Sequence, residues 1–322
     1  MTIRLTPKEV KDRFGPLFCK KYITMVDEEN GIARIIDDCI AKGPVEWDAV
    51  NRKRAGGVIT DVRVEGTTLI IDALIGEKEV KFGPASKDLG GQGLKSLKVE
   101  EDKVKTTWVG LAGASIGVGA CLPQASGTIE TEYPDDIKIG GAHRIEVTIV
   151  TPKMIRMVYA VDDTDTKEKG ASWAMMLKMA NSAPVGQFLE HKIIQLNPNV
   201  PNKTTNCVSV GVSFAVEEKD ASKLTDYVVD YVKKNTLSQN TTLAVFKGLK
   251  IPGELVDYGL RAKKEILTVA HARDIAMRNN VSLIEITGER GAIGAVAGIG
   301  CFDLGIISSS LPEDFEGQNI NL

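Results

Sequence analysis

The sequence predicts a mixed α/β (α+β) protein of two domains, each a sheet covered by helices. Three observations predict this. A chain of 322 residues with 43% hydrophobic and 26% charged residues has the composition of a globular protein long enough for two domains. Period-two alternation recurs over residues 58–73, 143–151 and 208–216, between stretches of helical spacing. Finally, Thr151 and Pro152 interrupt the pattern just before a continuous apolar run. The boundary is therefore drawn there, giving an N-terminal α+β domain of unknown role over residues 1–152 and a second domain over 153–322.

Thr6, followed by Pro7, Lys8 and Glu9, has the form of an N-cap, a first-position proline and a first-turn acid. It predicts a helix through residues 10–17. Residues 22–26 read as a short strand. Residues 31–40 carry Ile32, Ile35, Ile36 and Ile40 at helical spacing and read as a helix closed by Gly43. Val58, Thr60, Val62 and Val64 alternate, as do Leu69, Ile71 and Ala73, with Glu65 and Gly66 as a hairpin turn between them. A further strand pair is expected near residues 78–82, then an exposed loop over 83–93. Residues 108–122 (WVGLAGASIGVGACL) are dominated by small side chains. They suit a phosphate-cradling turn at a helix start or a small-residue helix packed on a sheet. The Lys-Ser/Thr of a P-loop is missing, so packing is the preferred reading. Residues 124–141 read as a connector, and 143–151 as a strand with His143 at its end.

In the second half, the run 157–161 reads as a buried strand followed at once by Asp162, Asp163, Thr164 and Asp165. Open α/β sheets place ligands at the carboxyl ends of their strands, and oxygen ligands on a tight loop suit Mg²⁺. A solvated acidic turn capping the next helix is the alternative. That helix, over residues 170–180, would present Trp173, Met176, Leu177 and Ala180 as one stripe. Ser172 at its start either caps it or faces a phosphate. Residues 193–204 read as a strand entering a turn stiffened by Pro198 and Pro201. This turn holds Asn197, Asn199, Lys203 and Thr204, and Lys203 is a candidate phosphate contact. A strand over 208–216, an amphipathic helix over 221–234 and a short run over 242–246 follow. One helix is expected over 252–278, with Lys263, Lys264 and Arg273 on a solvated face and His271 at the surface. Residues 281–300 read as strand, glycine turn (Gly288, Glu289, Arg290, Gly291) and small-residue helix containing Gly294. Amides and helix dipole there could face an anion beside Arg290. Tight helix–sheet packing would explain the same glycines.

A net charge of −3 gives no whole-chain footprint for nucleic acid. No apolar run approaches the ~20 residues that span a bilayer, and the N-terminal segment has no signal-peptide core. The five cysteines are isolated, without a C-x-x-C pair, which argues against a disulfide framework or a local zinc ribbon. A cytoplasmic protein without a membrane partner is expected.

Three motifs then fall into a known order: DDTD after a strand, LNPNVPNKT further on, and ERGAIGAVAGIG. Together they resemble the nucleotide-handling, kinase-like domain of the archaeal agmatinylcytidine synthetases that act on an isoleucine tRNA, over residues 155–300. The chain as a whole resembles methanogenesis marker protein 11, an archaeal methanogen family. The resemblance implies ATP and Mg²⁺ as cofactors, with Asp162, Asp163 and Asp165 on the metal. It implies Lys203 and the amides around Arg290, Gly291 and Gly294 at the phosphates, with Thr164, Gly170, Asn197 and Thr204 lining the same site. Ser172 is the hydroxyl nearest the place where the synthetase carries a self-phosphorylated threonine, a place taken here by Trp173. After Thr204 the synthetase has Arg-Gly-Asn-Gly, and this chain has Thr205, Asn206, Cys207 and Val208. The oligonucleotide-binding and zinc-ribbon modules of the synthetase are expected to be absent. The function expected is therefore an ATP- and Mg²⁺-dependent phosphoryl-transfer or ligase-type enzyme associated with methanogenesis, acting in enzyme or cofactor maturation. Its partners would be a nucleotide and a small-molecule or protein substrate. A non-catalytic, nucleotide-gated assembly factor is the alternative, and a tRNA-modifying enzyme is the less favoured third reading.

Overall fold

The computed structural model describes residues 2–82 and 89–315. The chain divides into two compact units, residues 1–154 and 155–322. Sheets and helices alternate in both, a mixed α/β architecture.

In the first unit, strand β1 (Thr2–Leu5) precedes helix α1 (Pro7–Phe14), where Thr6 and Glu9 form a reciprocal capping box and Gly15 ends the helix. Strands β2 (Cys19–Asp27) and β3 (Ile32–Cys39) form a hairpin, so residues 31–40 are a strand and not the helix their isoleucine spacing suggests. Positions 32, 36 and 40 are four apart, which fits both periods. The buried set Ala33, Ile35, Asp37 and Cys39 shows the period of two, which β-branched side chains favour. Helix α2 (Lys42–Ala55) begins where Gly43 was expected to close one. The β4 (Ile59–Glu65) and β5 (Thr68–Leu74) hairpin turns at Gly66, whose φ is +63°.

Strand β6 (Gly76–Glu77) replaces the pair expected near 78–82. Of the expected loop 83–93, residues 83–88 lie outside the described residues, and Gly91 opens strand β7 (Gly91–Glu100). β7 pairs with β8 (Lys103–Leu111), a hairpin to which the sequence pattern assigns no element. The small-residue stretch divides between the end of β8, a short α3 (Ala114–Ile116), a π-turn (Gly117–Cys121) and a 3-10 turn (Leu122–Gln124). Its glycines serve close packing: a Cβ on Gly110 would lie 2.6 Å from the Ser115 Cα, and one on Gly119 2.7 Å from Ile139. The expected connector contains β9 (Glu130–Pro134), and β10 (Arg144–Pro152) follows. One sheet runs β1-β9-β10-β8-β7-β6 and the other β2-β3-β5-β4, with Tyr22, Ile35, Leu69, Ile71, Trp108, Ile145, Val147 and Ile149 in the core of the unit.

The second unit is built on β11 (Met154–Asp162). Its sheet runs β12 (Gln187–Gln195), β13 (Val208–Glu217), β11, β14 (Thr242–Lys247), β15 (Ser282–Glu285). Ile155, Met157, Tyr159 and Val161 pack with residues of α4 (Ser172–Asn181) and α5 (Ala221–Asn235). Val158 and Ala160 pack with α6 (Gly253–Ala262), α7 (Val269–Arg278) and α8 (Ala292–Cys301). A strand covered on both faces has no polar face, hence its unbroken apolar run. The single helix expected over 252–278 is two, because Thr268 caps α7 by accepting the His271 amide. Lys263 is not on a solvated face: it is 4% exposed, and its ammonium donates to the Gln195, Ser308 and Ser310 carbonyls at 2.7, 2.9 and 3.0 Å. The buried face of α4 is Ser172, Met176, Met179 and Ala180, while Trp173 is exposed. Among the described residues no helix is long and apolar enough to cross a membrane.

Candidate functional site

β11 ends at Asp162, and the chain leaves the sheet through Asp163 in the left-handed conformation, φ +58°. The Asp163 amide donates to Asp162 Oδ1 at 2.8 Å. The loop is pinned from two sides. The Thr164 carbonyl accepts the Leu237 amide at 2.8 Å, and the Asp163 carbonyl accepts the Thr241 hydroxyl. Thr164, buried, donates its hydroxyl to Ser172 Oγ at 2.8 Å. Ser172 is thus the first helical residue of α4, tied to the acidic loop, and Ala171 is the N-cap; the capping reading of Ser172 does not hold.

Glycines set how closely α8 approaches. A Cβ on Gly294 would lie 1.7 Å from Asp162 Oδ2, and one on Gly291 2.8 Å from the Asp162 carbonyl. Only hydrogen at position 294 leaves room for the carboxylate beside the first turn of α8. Arg290 grips Asp163 with two parallel bonds, Nε to Oδ2 at 2.9 Å and a terminal nitrogen to Oδ1 at 3.1 Å. Two residues expected to serve a metal and a phosphate separately are therefore paired with each other. The amides of Gly291, Ala292 and Ile293 donate to the carbonyls of Asn240, Glu289 and Arg290, so this turn is not an open row of amide donors.

These elements surround a cavity of about 690 Å³, within the size range of small-molecule sites. Asp162, Asp163, Asp165, Gly170, Ser172, Asn197, Lys203, Thr204, Arg290 and Gly294 line it. Thr164 and Gly291 stand behind the wall and hold it in place. The first-turn amides of a helix have no intrahelical acceptor, and α4 opens onto the cavity through Gly170, Ala171, Ser172 and Trp173. The proline-stiffened turn contributes Asn197, whose side-chain oxygen accepts the Asn199 amide at 2.9 Å. Lys203 has no ion-pair partner among the described residues.

Burial and the neighbouring Asp163 charge push the Asp162 carboxyl well above the ordinary carboxylate range. Asp165 is raised by burial and, secondarily, by Asp163. The acidic end of the cavity is thus short of positive charge, with Arg290 its one bound cation among the described residues. Oxygen ligands in such a field fit a hard divalent ion. Sequence reasoning misses Trp173, Cys207, Ile266 and Leu267 as lining residues. Trp173 falls on a helical stripe, which points to core, and the others come from loops without periodic signal.

The family model of the TiaS TCKD domain matches residues 158–221, which span the acidic loop, α4 and the stiffened turn. TiaS of Thermococcus sibiricus, a 2-agmatinylcytidine synthetase of an isoleucine tRNA, is 34% identical over 152 residues, 46% of this chain and 35% of that protein. TiaS of Pyrococcus horikoshii is 33% identical over 113 residues, 34% of this chain and 26% of that protein. The chain thus spans about a third of the length of these synthetases. The crystal structure of TiaS in complex with its isoleucine tRNA and ATP matches 45% of this chain and 36% of that chain, with a TM-score of 0.41 and 23% identity. A superposition of that extent says nothing about the site. Across nearly its full length, the chain is 34% identical over 301 residues to the uncharacterized protein MJ0921 of Methanocaldococcus jannaschii, 92% of this chain and 98% of that protein. It belongs to the family of that protein.

The resemblance to the synthetases thus stands on sequence, and it corrects the expected function. Archaeal relatives named for a tRNA substrate overturn both the methanogenesis-associated ligase acting on something other than tRNA and the non-catalytic assembly factor. The third reading fits best. A net charge of −3 is a sum over the whole chain and does not speak to local patches, which are what nucleic acid meets.

Proposed function

We propose that this protein is an ATP-using, tRNA-modifying enzyme in which the cavity of residues 155–322 binds the nucleotide. The observation that carries this reading is the meeting of three separated motifs on one cavity: the acidic loop, the stiffened turn and the strand-turn-helix at Arg290. Likeness to synthetases that act on an isoleucine tRNA, over the same stretch, supports a tRNA base as the group activated. An amine of the agmatine type is the proposed second substrate, by analogy with the sequence relatives named 2-agmatinylcytidine synthetases.

Asp162 and Asp165 are the residues that would hold Mg²⁺, because their raised carboxyls lack a cation, whereas Asp163 already has Arg290. When bound, the ion would neutralise phosphate charge developing during transfer. Lys203, on the stiffened turn, reaches the phosphates as a point charge. The Asp163–Arg290 pair holds the loop to the start of α8, and the Thr164–Ser172 bond holds it to α4. Both are positioning interactions. We further propose that the family is methanogenesis marker protein 11, on the motif order of the sequence, and that the domain boundary near residue 153 separates this nucleotide-binding part from the N-terminal part.

The test is direct. Purified protein is titrated with ATP in a calorimeter with and without Mg²⁺, then incubated with archaeal tRNA, ATP and agmatine. Mass spectrometry of nuclease digests is expected to show a tRNA cytidine gaining the amine. ATP binding that ignores Mg²⁺, or tRNA that stays unmodified while ATP is consumed, would sink the reading.

A further inference from the structure

The first unit gathers a cluster that the cysteine spacing did not announce. Cys19 opens β2 and Cys39 ends β3, and the two are directly opposite in the hairpin register. Both point at Asp37: the Cys19 thiol donates to Asp37 Oδ1 at 2.9 Å and the Cys39 thiol to the same oxygen at 3.5 Å. One ligand atom from each of the three lies within 4.8 Å of the others, and Asp37 and Cys39 are each 1% exposed. Thiols are weak donors, and a buried carboxylate oxygen served only by thiols is poorly compensated.

The surroundings are built around this carboxylate. The other Asp37 oxygen accepts from Arg52 at 2.7 Å. Arg52 also donates to Gln92 at 3.1 and 3.2 Å and to Asp48 at 3.5 Å, and it lies 4.9 Å over the Trp108 ring. A carboxylate fixed on one oxygen by an outer donor, with its second oxygen facing two sulfurs, is how proteins orient ligands around a metal.

We propose that Cys19, Asp37 and Cys39 form a buried structural metal site for a zinc-like, borderline-soft divalent cation. Two thiolates and one carboxylate carry three negative charges, two of them met by the cation, while Arg52 is shared between Asp37 and Asp48. Sulfur with one oxygen is a donor set suited to zinc rather than to magnesium or calcium. On binding, each thiol gives up its proton to solvent and forms one sulfur–metal bond, so two protons leave as the cation enters. The closed surroundings make this metal a folding element, loaded as the hairpin forms.

The test uses the full chain, expressed with zinc and passed over a desalting column without chelator. Elemental analysis is expected to give about one zinc per chain. Cobalt substitution is expected to give a thiolate-to-metal charge-transfer band in the near ultraviolet, with release of two protons per cation. Cys39→Ser should lose the band, while Cys301→Ser, in the other unit, should keep it. If Cys39→Ser does not fold, X-ray absorption of the wild-type zinc protein replaces it, with at least two sulfur neighbours expected. A wild-type chain that folds metal-free, a Cys19–Cys39 disulfide in the native mass spectrum, or a metal without sulfur neighbours would each overturn the proposal.

Discussion

Both units set an arginine among aspartates, and the two clusters are put together differently. In the first, Arg52 meets Asp37 and Asp48 with side-chain exposures of 1%, 1% and 7%, and Gln92 and Trp108 complete the enclosure. In the second, Arg290 and Asp163 keep side-chain exposures of 35% and 18% and line a cavity, with Asp162 and Asp165 left without a cation of their own. Enclosed charge must be satisfied by the fold itself, since unpaired it costs several kcal/mol. Charge at a cavity wall can wait for a ligand. The first arrangement fixes a core around Arg52, apart from the Asp37 oxygen that faces the two thiols, and the second leaves an electrostatic demand at a cavity wall that a bound ion and nucleotide would meet.

The comparison breaks most sharply at Arg52. Arg52→Met leaves Asp37 and Asp48 buried without their cation and is expected to destabilise the first unit by about 3–5 kcal/mol, read as a fall in urea midpoint. A cost below about 1 kcal/mol would mean the network is not holding the core. Asp48 gives the pH test. Burial raises its carboxyl from 3.8 to about 6 despite Arg52. A carboxyl that holds its proton more tightly when folded adds stability that is complete below the unfolded value and lost as pH rises through about 6. Across pH 4–6 that contribution is about 3 kcal/mol. Asp48→Asn should flatten this part of the stability–pH curve, and an unchanged slope would assign it to other groups.

In the second unit, Gly294→Ala would drive a methyl into Asp162 Oδ2. It should cost about 1–3 kcal/mol and weaken Mg²⁺-dependent ATP binding about tenfold. Gly43→Ala, with nothing within 4 Å of the added carbon, is the control, changing stability by less than about 0.5 kcal/mol. Equal loss of ATP affinity in both would detach Asp162 from the site. The smallest effect is expected at Lys263, a buried cation held by neutral carbonyls alone. Lys263→Met should cost about 1–2 kcal/mol and speed proteolysis near residues 305–310, without altering ATP binding.

Local chemistry was legible from sequence, and convergence was not. The Thr6–Glu9 box, the hairpin at Gly66, the doubly covered strand β11 and the strand-turn-helix ending in α8 all write their signals within a few residues. β3 deceived because a spacing of four belongs to both a helix and a strand. Lys263 looked solvated because a buried lysine differs from an exposed one only in its partners, here carbonyls from Gln195 and from residues past 305. The pairing of Arg290 with Asp163 joins residues 127 positions apart, and no local pattern encodes it. The sequence motifs could name candidates for one cavity, but could not say that two of them would occupy each other.

One consequence lies in the contact between α6 and α8. A Cβ on Gly259 would come within 2.7 Å of the Cys301 sulfur, which is fully buried and whose thiol burial pushes up to about 11. The sulfur is therefore both shielded and unreactive until those helices part. Alkylation at Cys301 becomes a stopwatch for helix separation: its rate reports the opening frequency, and a nucleotide that steadies α8 should slow the clock.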